Sequence, residues 1–305
     1  VCGNGTRGLK ETMRILLTGS TGMVGRNILD ANTEHEILTP RLELLDSCSI
    51  ATFFQNNNID CVVHAAGRVG GIQANINNNA RFLYENTLMG LNLATCAYDA
   101  GVENFLNLGS SCMYPAGTPS PIPESALFAG PVEPTNEGYA IAKCTVAKYC
   151  ETLGYDTIIP CNLYGKYDKF DEARSHMLPS AIRKIHNAKT SGAPVEIWGD
   201  GTARREFMYA EDLAEFILEY VQCSDVPSMM NVGLGHDHSI TELYKEVACV
   251  IGYEGTFSYN TFMPTGVKEK RVDIASQTKL GWKPKHTLHE GIEKTYKYFK
   301  EFINV

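Results

Sequence analysis

Short apolar runs, each closed by small or polar residues, recur along the first half of the chain. The first is Arg14-Ile15-Leu16-Leu17-Thr18. Such an unbroken run reads as a strand covered on both faces, whereas a strand with one wet face alternates. Glu36-Ile37-Leu38-Thr39, Ile59-Asp60-Cys61-Val62-Val63-His64, Asn104-Phe105-Leu106-Asn107-Leu108 and Thr157-Ile158-Ile159-Pro160 repeat the pattern. Between them lie stretches with helical spacing. One passes through Ile28 and Leu29, one covers residues 50–54, and a long one covers 75–99 with Phe82, Asn86, Met89, Leu93 and Ala97 along one stripe. That stripe suits either the core or a second subunit. A fourth helix begins near Tyr139. The alternation predicts an α/β fold with a doubly wound parallel sheet. Beyond Asn162 the loops lengthen, which predicts a smaller α/β lobe on the C-terminal side. The expected plan is a sheet domain over 13–162, to which a piece over 206–222 returns, and a second lobe over 163–305, closed by a helix over 288–303. Residues 1–12 hold three glycines and no periodicity before Met13. They are expected to be a leader outside the fold, with Met13 the native start.

The first strand runs into Gly19-Ser20-Thr21-Gly22-Met23-Val24-Gly25 and then a helix. A glycine at the strand end permits a tight turn. The second lets a pyrophosphate approach the backbone at a helix N-terminus, and the third lets helix and strand pack closely. Placed between strand and helix at the start of a domain, the trio points to a bound dinucleotide. An NAD site usually ends its second strand with an acid that holds the ribose hydroxyls. Here that position reads Thr39-Pro40-Arg41, with no acid. Arg41 suits a 2′-phosphate, which favours NADP(H).

Tyr139 and Lys143 stand at i and i+4 at the start of a helix, on one face. A free phenol, with a pKa of about 10, is a poor acid near neutrality, and a nearby cation lowers that value. The pair therefore reads as a proton donor with its tuner, or as two exposed residues on an ordinary helix. Ser110 and Cys112 follow the strand that ends at Leu108, where open parallel sheets bind ligands. A serine there can hold a carbonyl oxygen. A cysteine there can move a proton if its thiolate is accessible, or it can be a small buried hydrophobe.

Composition narrows the class. The 305 residues are 44% hydrophobic, enough for a large core, and no apolar run is long enough to cross a membrane. Ten cysteines include no C-x-x-C pair, which suits a reduced, cytoplasmic protein better than a disulfide framework. A formal charge of −8 argues against nucleic-acid binding but leaves room for an anionic ligand held by local cations.

The glycine motif, Ser110 and Tyr139-x-x-x-Lys143 together resemble the extended short-chain dehydrogenase/reductases. His64 through Ile72, Gly109 through Pro115, Glu133 through Lys143, Asn162-Leu163-Tyr164-Gly165, Ser175-His176-Met177-Leu178-Pro179 and Val195 through Phe207 are similar, more narrowly, to the GDP-L-fucose synthase family. The likeness runs from Met13 to the C-terminus. It implies a Rossmann fold, NADP(H), a homodimer, and conversion of GDP-4-keto-6-deoxy-D-mannose by inversion at C3 and C5 and reduction at C4. It further implies that Cys112 and His176 move protons on opposite faces of the sugar. Tyr139 then protonates the C4 oxygen, Lys143 tunes it and holds the nicotinamide ribose, and Ser110 holds the ketone. The same resemblance implies a cofactor lining from Ala65, Ala66, Leu108, Gly109, Ser110, Ser111, Pro160, Cys161, Asn162, Leu163 and His176, beside residues 19–25 and Arg41. Trp198 is expected at the guanosine end, with Lys184, Arg205 and Lys270 at the substrate phosphates. Lys184 departs from the family's usual Arg, and Thr265 from a usual Asp.

Two other readings use the same residues. A nucleotide-sugar epimerase would keep NAD bound and give no net reduction. A non-catalytic dinucleotide sensor would share the fold. The missing acid after the second strand and the Cys112–His176 pair count against the first, and the intact Tyr139 and Lys143 against the second.

Overall fold

The computed structural model describes residues 12–172, 175–223, 226–263 and 265–303. All but the last residue of the expected leader lies outside the described residues. The chain opens with β1 (Arg14–Thr18), α1 (Met23–Ala31), β2 (Glu36–Leu38), α2 (Ser47–Asn56), β3 (Cys61–His64), α3 (Ile72–Asn77), α4 (Asn79–Asp99), β4 (Asn104–Leu108), α5 (Glu137–Thr152) and β5 (Asp156–Pro160). It continues through β6 (Asn162–Tyr164), α6 (Met177–Ser191), β7 (Val195–Trp198), β8 (Arg204–Arg205), β9 (Phe207–Tyr209), α7 (Ala210–Tyr220) and β10 (Met229–Val232). Then come β11 (His238–Ser239), α8 (Ile240–Ile251), β12 (Phe257–Asn260), β13 (Glu269–Lys270), α9 (Ala275–Lys279) and α10 (Leu288–Ile303).

Six strands form one parallel sheet in the order β10-β5-β4-β3-β1-β2. Alternate side chains of each strand enter opposite cores, which is why the runs are apolar throughout. Ile15, Leu17 and Val63 pack with Ile28 of α1 and with Leu213 and Ile217 of α7. Leu16, Val62 and Phe105 pack with Ile50 of α2, Leu93 and Ala97 of α4, and Val146 and Cys150 of α5. The stripe on α4 is therefore core, not a subunit contact.

The helix expected over 75–99 is broken at Asn78, which leaves helical geometry at φ −128°, ψ 25°. Asparagines compete with the helix through their side chains, and this stretch holds several. Asn75 donates to the carbonyls of Gly70 and Gly71 at 2.8 and 3.0 Å. The Asn79 side chain accepts from the Gly138 N–H at 2.6 Å, which ties the start of α4 to the start of α5.

The sheet takes its outermost strand from Met229–Val232, later in the chain than the expected returning piece over 206–222. The route back begins where β9 pairs with β6. The second lobe is built from α6, α8 and α10 around β7, with Leu178, Ile182, Val247, Ile251, Ile292 and Val195 in its core. Asp212, fully buried on α7, accepts from the backbone N–H groups of Lys285 and His286 and pairs with His286 Nδ1 at 2.7 Å. That cluster fixes where α10 enters.

Candidate active site

The carboxyl ends of β1, β3, β4 and β5 form one edge, and the candidate residues gather there. Gly19 ends β1 with φ +74°, and a Cβ on it would lie 2.6 Å from Ala65 C and Ala66 N. The turn therefore sits directly on the backbone after β3. A Cβ on Gly25 would strike Gly19 O and lie 2.7 Å from Ser20 Cα, so the third glycine lets α1 close on the turn. Gly22 instead meets nothing nearer than Gly19 O at 3.3 Å. It caps α1, and its N–H donates back to Gly19 O at 2.9 Å. The result is a shallow cradle with the helix N-terminus of Met23 and Val24 behind it. A dinucleotide fits this cradle, because the two positions where a side chain would intrude are both glycine. Thr18 and His64 end β1 and β3, joined Oγ1 to Nδ1 at 2.8 Å. Burial, then the Lys143 charge, holds His64 down to about 3. It is a neutral strut, for which the sequence reading had found no role.

Lys143 extends from α5 under this edge. It is 7% exposed, and its Nζ donates to Leu108 O at 2.7 Å and lies 5.9 Å from the Tyr139 ring centre. Burial lowers its ammonium to about 8. Tyr139 opens onto the cleft and is hydrogen-bonded to Ser110. Its phenol corrects the sequence expectation. Burial pushes it above the ordinary range, Cys112 pushes the same way, and only the Ser110 bond opposes them. Gly109 is needed where it stands, since a Cβ would lie 2.9 Å from Met113 Sδ and 3.1 Å from Ile158 O. Ser110 then caps the short turn Ser111–Met113, accepting from the Cys112 N–H at 3.3 Å. That turn aims Cys112 toward the second lobe.

Lys270 Nζ comes from that lobe and donates to Cys112 Sγ at 3.8 Å. Arg205 stands beside Lys270 across the β8–β13 pair and lies close enough to Cys112 for their charges to interact. Arg205 also donates to Arg204 O at 2.7 Å and Thr265 O at 3.0 Å. Ser110, Cys112, Tyr139, Arg205 and Lys270 thus converge. Lys184 and Trp198 form a separate pair further out. The ammonium lies 5.5 Å from the indole ring and donates to Glu196 O at 3.1 Å. Burial lowers the lysine. Thr265 links this pair to the centre, since its side chain fills the space beside Gly199 while its carbonyl accepts from Arg205.

His176 caps α6, and its backbone neighbour Ser175 carries a carbonyl 3.4 Å from where a Gly71 Cβ would lie. His176 is exposed, and no hydrogen bond joins it to Ser110, Cys112 or Tyr139 among the described residues; desolvation, then Lys169, holds the imidazole below its ordinary range. Arg41 is exposed past the end of β2, with no ion-pair partner among the described residues. Pro160 ends β5, and Cys161 is buried beside it. Asn162 donates to Glu206 O at 2.9 Å, and Leu163 packs on the core. Sequence reasoning missed Glu206, which is fully buried, and Asp237, whose side chain is only 8% exposed. Glu206 stood in the charged run Arg204-Arg205-Glu206, whereas Asp237, between two histidines, carried no such signal.

Residues 15–233 match the family model described as the NAD dependent epimerase/dehydratase family, and the chain belongs to that family. It is 50% identical to the GDP-L-colitose synthase of Yersinia pseudotuberculosis, across 94% of this chain and 98% of that one. It is 45% identical to the GDP-L-fucose synthase of Azorhizobium caulinodans, across 94% and 96%. Among solved structures, the GDP-mannoheptose C4 reductase of Campylobacter jejuni with NADP bound superposes with a TM-score of 0.85 at 27% identity, across 96% and 99%.

Proposed function

We propose that this protein is an NADPH-dependent epimerase-reductase that converts GDP-4-keto-6-deoxy-D-mannose to GDP-L-fucose. One observation carries the reading: a thiol, Cys112, stands beside two cations and the Ser110–Tyr139–Lys143 set of a ketone reductase. A reductase alone has no use for a second base at that point. A ketone at C4 acidifies the protons at C3 and C5. The Cys112 thiolate removes such a proton, and the enolate charge rests on the C4 oxygen near Ser110 and Tyr139. His176 returns a proton from the other face. When bound, NADPH supplies a hydride for C4, and Tyr139 gives the oxygen its proton. Residues 19–25, Arg41, Ala65, Ala66 and Lys143 would hold the cofactor. Arg205 and Lys184 would hold the diphosphate, and Trp198 the guanine.

The similarity to GDP-L-colitose synthase favours a second reading. Colitose has no hydroxyl at C3, so a substrate of that class has no centre there to invert. NADPH consumption on GDP-4-keto-6-deoxy-D-mannose and on its 3-deoxy analogue, with products separated by chromatography, decides between them. GDP-L-fucose from the first sugar supports the proposal. Turnover of the 3-deoxy sugar alone supports the second reading. No consumption, with NAD retained in the protein, refutes both and leaves an epimerase.

A homodimer is part of the proposal. Leu83 and Tyr84 on α4 and Ile141 on α5 are exposed apolar residues on adjoining helices, a surface suited to a second copy. No described helix is long and apolar enough to cross a membrane. Eight of the nine cysteines among the described residues are free, which suits a reducing cytoplasm, whereas the ninth, Cys223, is disulfide-bonded, contrary to the expectation of a fully reduced chain.

A further inference from the structure

We propose that Lys270 is the counter-charge of the Cys112 thiolate, and so a positioning residue for the two inversions. This inference rests on the epimerase reading above. It differs from a role confined to the GDP phosphates.

β8 and β13 are two residues long each, too short to hold register by their own ladder. Side chains on either side hold it instead. Arg204 and Arg271 flank Arg205 and Lys270 in sequence, and both reach the buried Asp237, at 2.6 and 3.5 Å. Glu206 follows Arg205 and is fully buried. Its Oε1 accepts from the Gly235 N–H at 2.8 Å and from the Leu234 N–H. Its Oε2 accepts from the Val272 N–H at 3.0 Å. Two buried acids therefore clamp the strands so that Arg205 and Lys270 stand side by side toward Cys112.

Among the described residues, Lys270 on β13, Arg205 on β8 and Tyr139 on α5 face Cys112. Arg205 is already engaged by two carbonyls and by the charge of Glu133. Lys270 has no carboxylate partner among the described residues, and its one polar contact there is the sulfur. A base that takes a proton from carbon must be a thiolate, since the thiol cannot accept one. An ammonium in contact with the sulfur stabilises the thiolate relative to the thiol. Lys270 keeps its own proton throughout: the C–H proton passes to sulfur, and its electron pair passes to the enolate.

The test follows alkylation of Cys112 by iodoacetamide from pH 5.5 to 9, counted on the Cys112 peptide by mass spectrometry. It needs no sugar substrate, so it reads this inference even if the proposed activity fails. Lys270→Met should alkylate at Cys112 about tenfold or more slowly at neutral pH, with the profile moved to higher pH. Lys270→Arg should restore most of the rate, which also guards against a folding artefact in the methionine variant. With GDP-4-keto-6-deoxy-D-mannose, the pH profile of solvent-deuterium uptake at C3 and C5 should move in parallel. An unchanged Cys112 profile in a folded Lys270→Met, with only KM for the GDP-sugar raised, would overturn the inference and leave Lys270 as a phosphate ligand.

Discussion

Lys143 is placed at the site against its own solvation. Its ammonium falls from 10.5 to about 8 because burial disfavours the charged form. Between those values the unfolded chain binds a proton that the native state does not, so stability rises with pH across the window. At pH 7 the shift costs about 3 kcal/mol, and at pH 9.5 roughly 1.5 kcal/mol of that cost remains. Lys143→Met removes the titration. It also removes the 2.7 Å bond to Leu108 O, a loss of about 1.5–3 kcal/mol that offsets the gain at pH 7. The sign at a single pH is therefore a near balance, whereas the slope is not. Urea denaturation of the cofactor-free protein should show wild type gaining about 2 kcal/mol on the variant between pH 7 and 9.5. Groups common to both proteins cancel in that difference. A difference that stays flat would show that Lys143 is solvated or paired in the native state, and the reasoning about its burial would fail.

Gly25→Ala should lose NADPH binding and destabilise the fold by about 1–3 kcal/mol, because its Cβ meets backbone atoms that cannot move aside. Gly22→Ala, whose Cβ would meet only Gly19 O at 3.3 Å, should weaken NADPH binding in titration calorimetry with a smaller change in Tm than Gly25→Ala. Equal losses of stability in both would contradict the cradle as described. Tyr139→Phe should slow NADPH oxidation by about a hundredfold or more while deuterium still enters the sugar. Near-normal oxidation would remove Tyr139 from the reduction. Glu206→Gln should cost about 2–3 kcal/mol, read as a lowered Tm, because an amide nitrogen would face one of three backbone donors. An unchanged Tm would mean that the clamp does not hold the strands.

The sheet was legible because a strand buried on both faces writes an unbroken apolar run, as in Ile15-Leu16-Leu17 and Cys61-Val62-Val63. The glycine turn was legible because its spacing is local. The long helix was misread because period alone does not register that Asn75 and Asn79 have better partners in Gly70, Gly71 and Gly138. The acidity of Tyr139 was misread for a related reason: spacing shows a cation one turn away but not the protein that surrounds the phenol. The contact of Lys270 with Cys112 joins residues 158 apart in sequence, and no local pattern carries it. Sequence likeness could pick out both residues, but only the folded chain shows that they meet.

The origin of β10 bears on how the protein is made. A chain growing on the ribosome presents β5 long before Met229–Val232, its outer neighbour, has been synthesised. Throughout that interval Ile158 and Ile159, wholly buried in the finished molecule, sit on a strand with one open flank. An unpaired apolar strand edge invites pairing with another chain. The interval is the one in which that edge is open to pairing between nascent chains, and rapid elongation through α6 and α7 shortens it. A codon change that slows translation between residues 165 and 228 would then lower the yield of folded protein without altering a single amino acid.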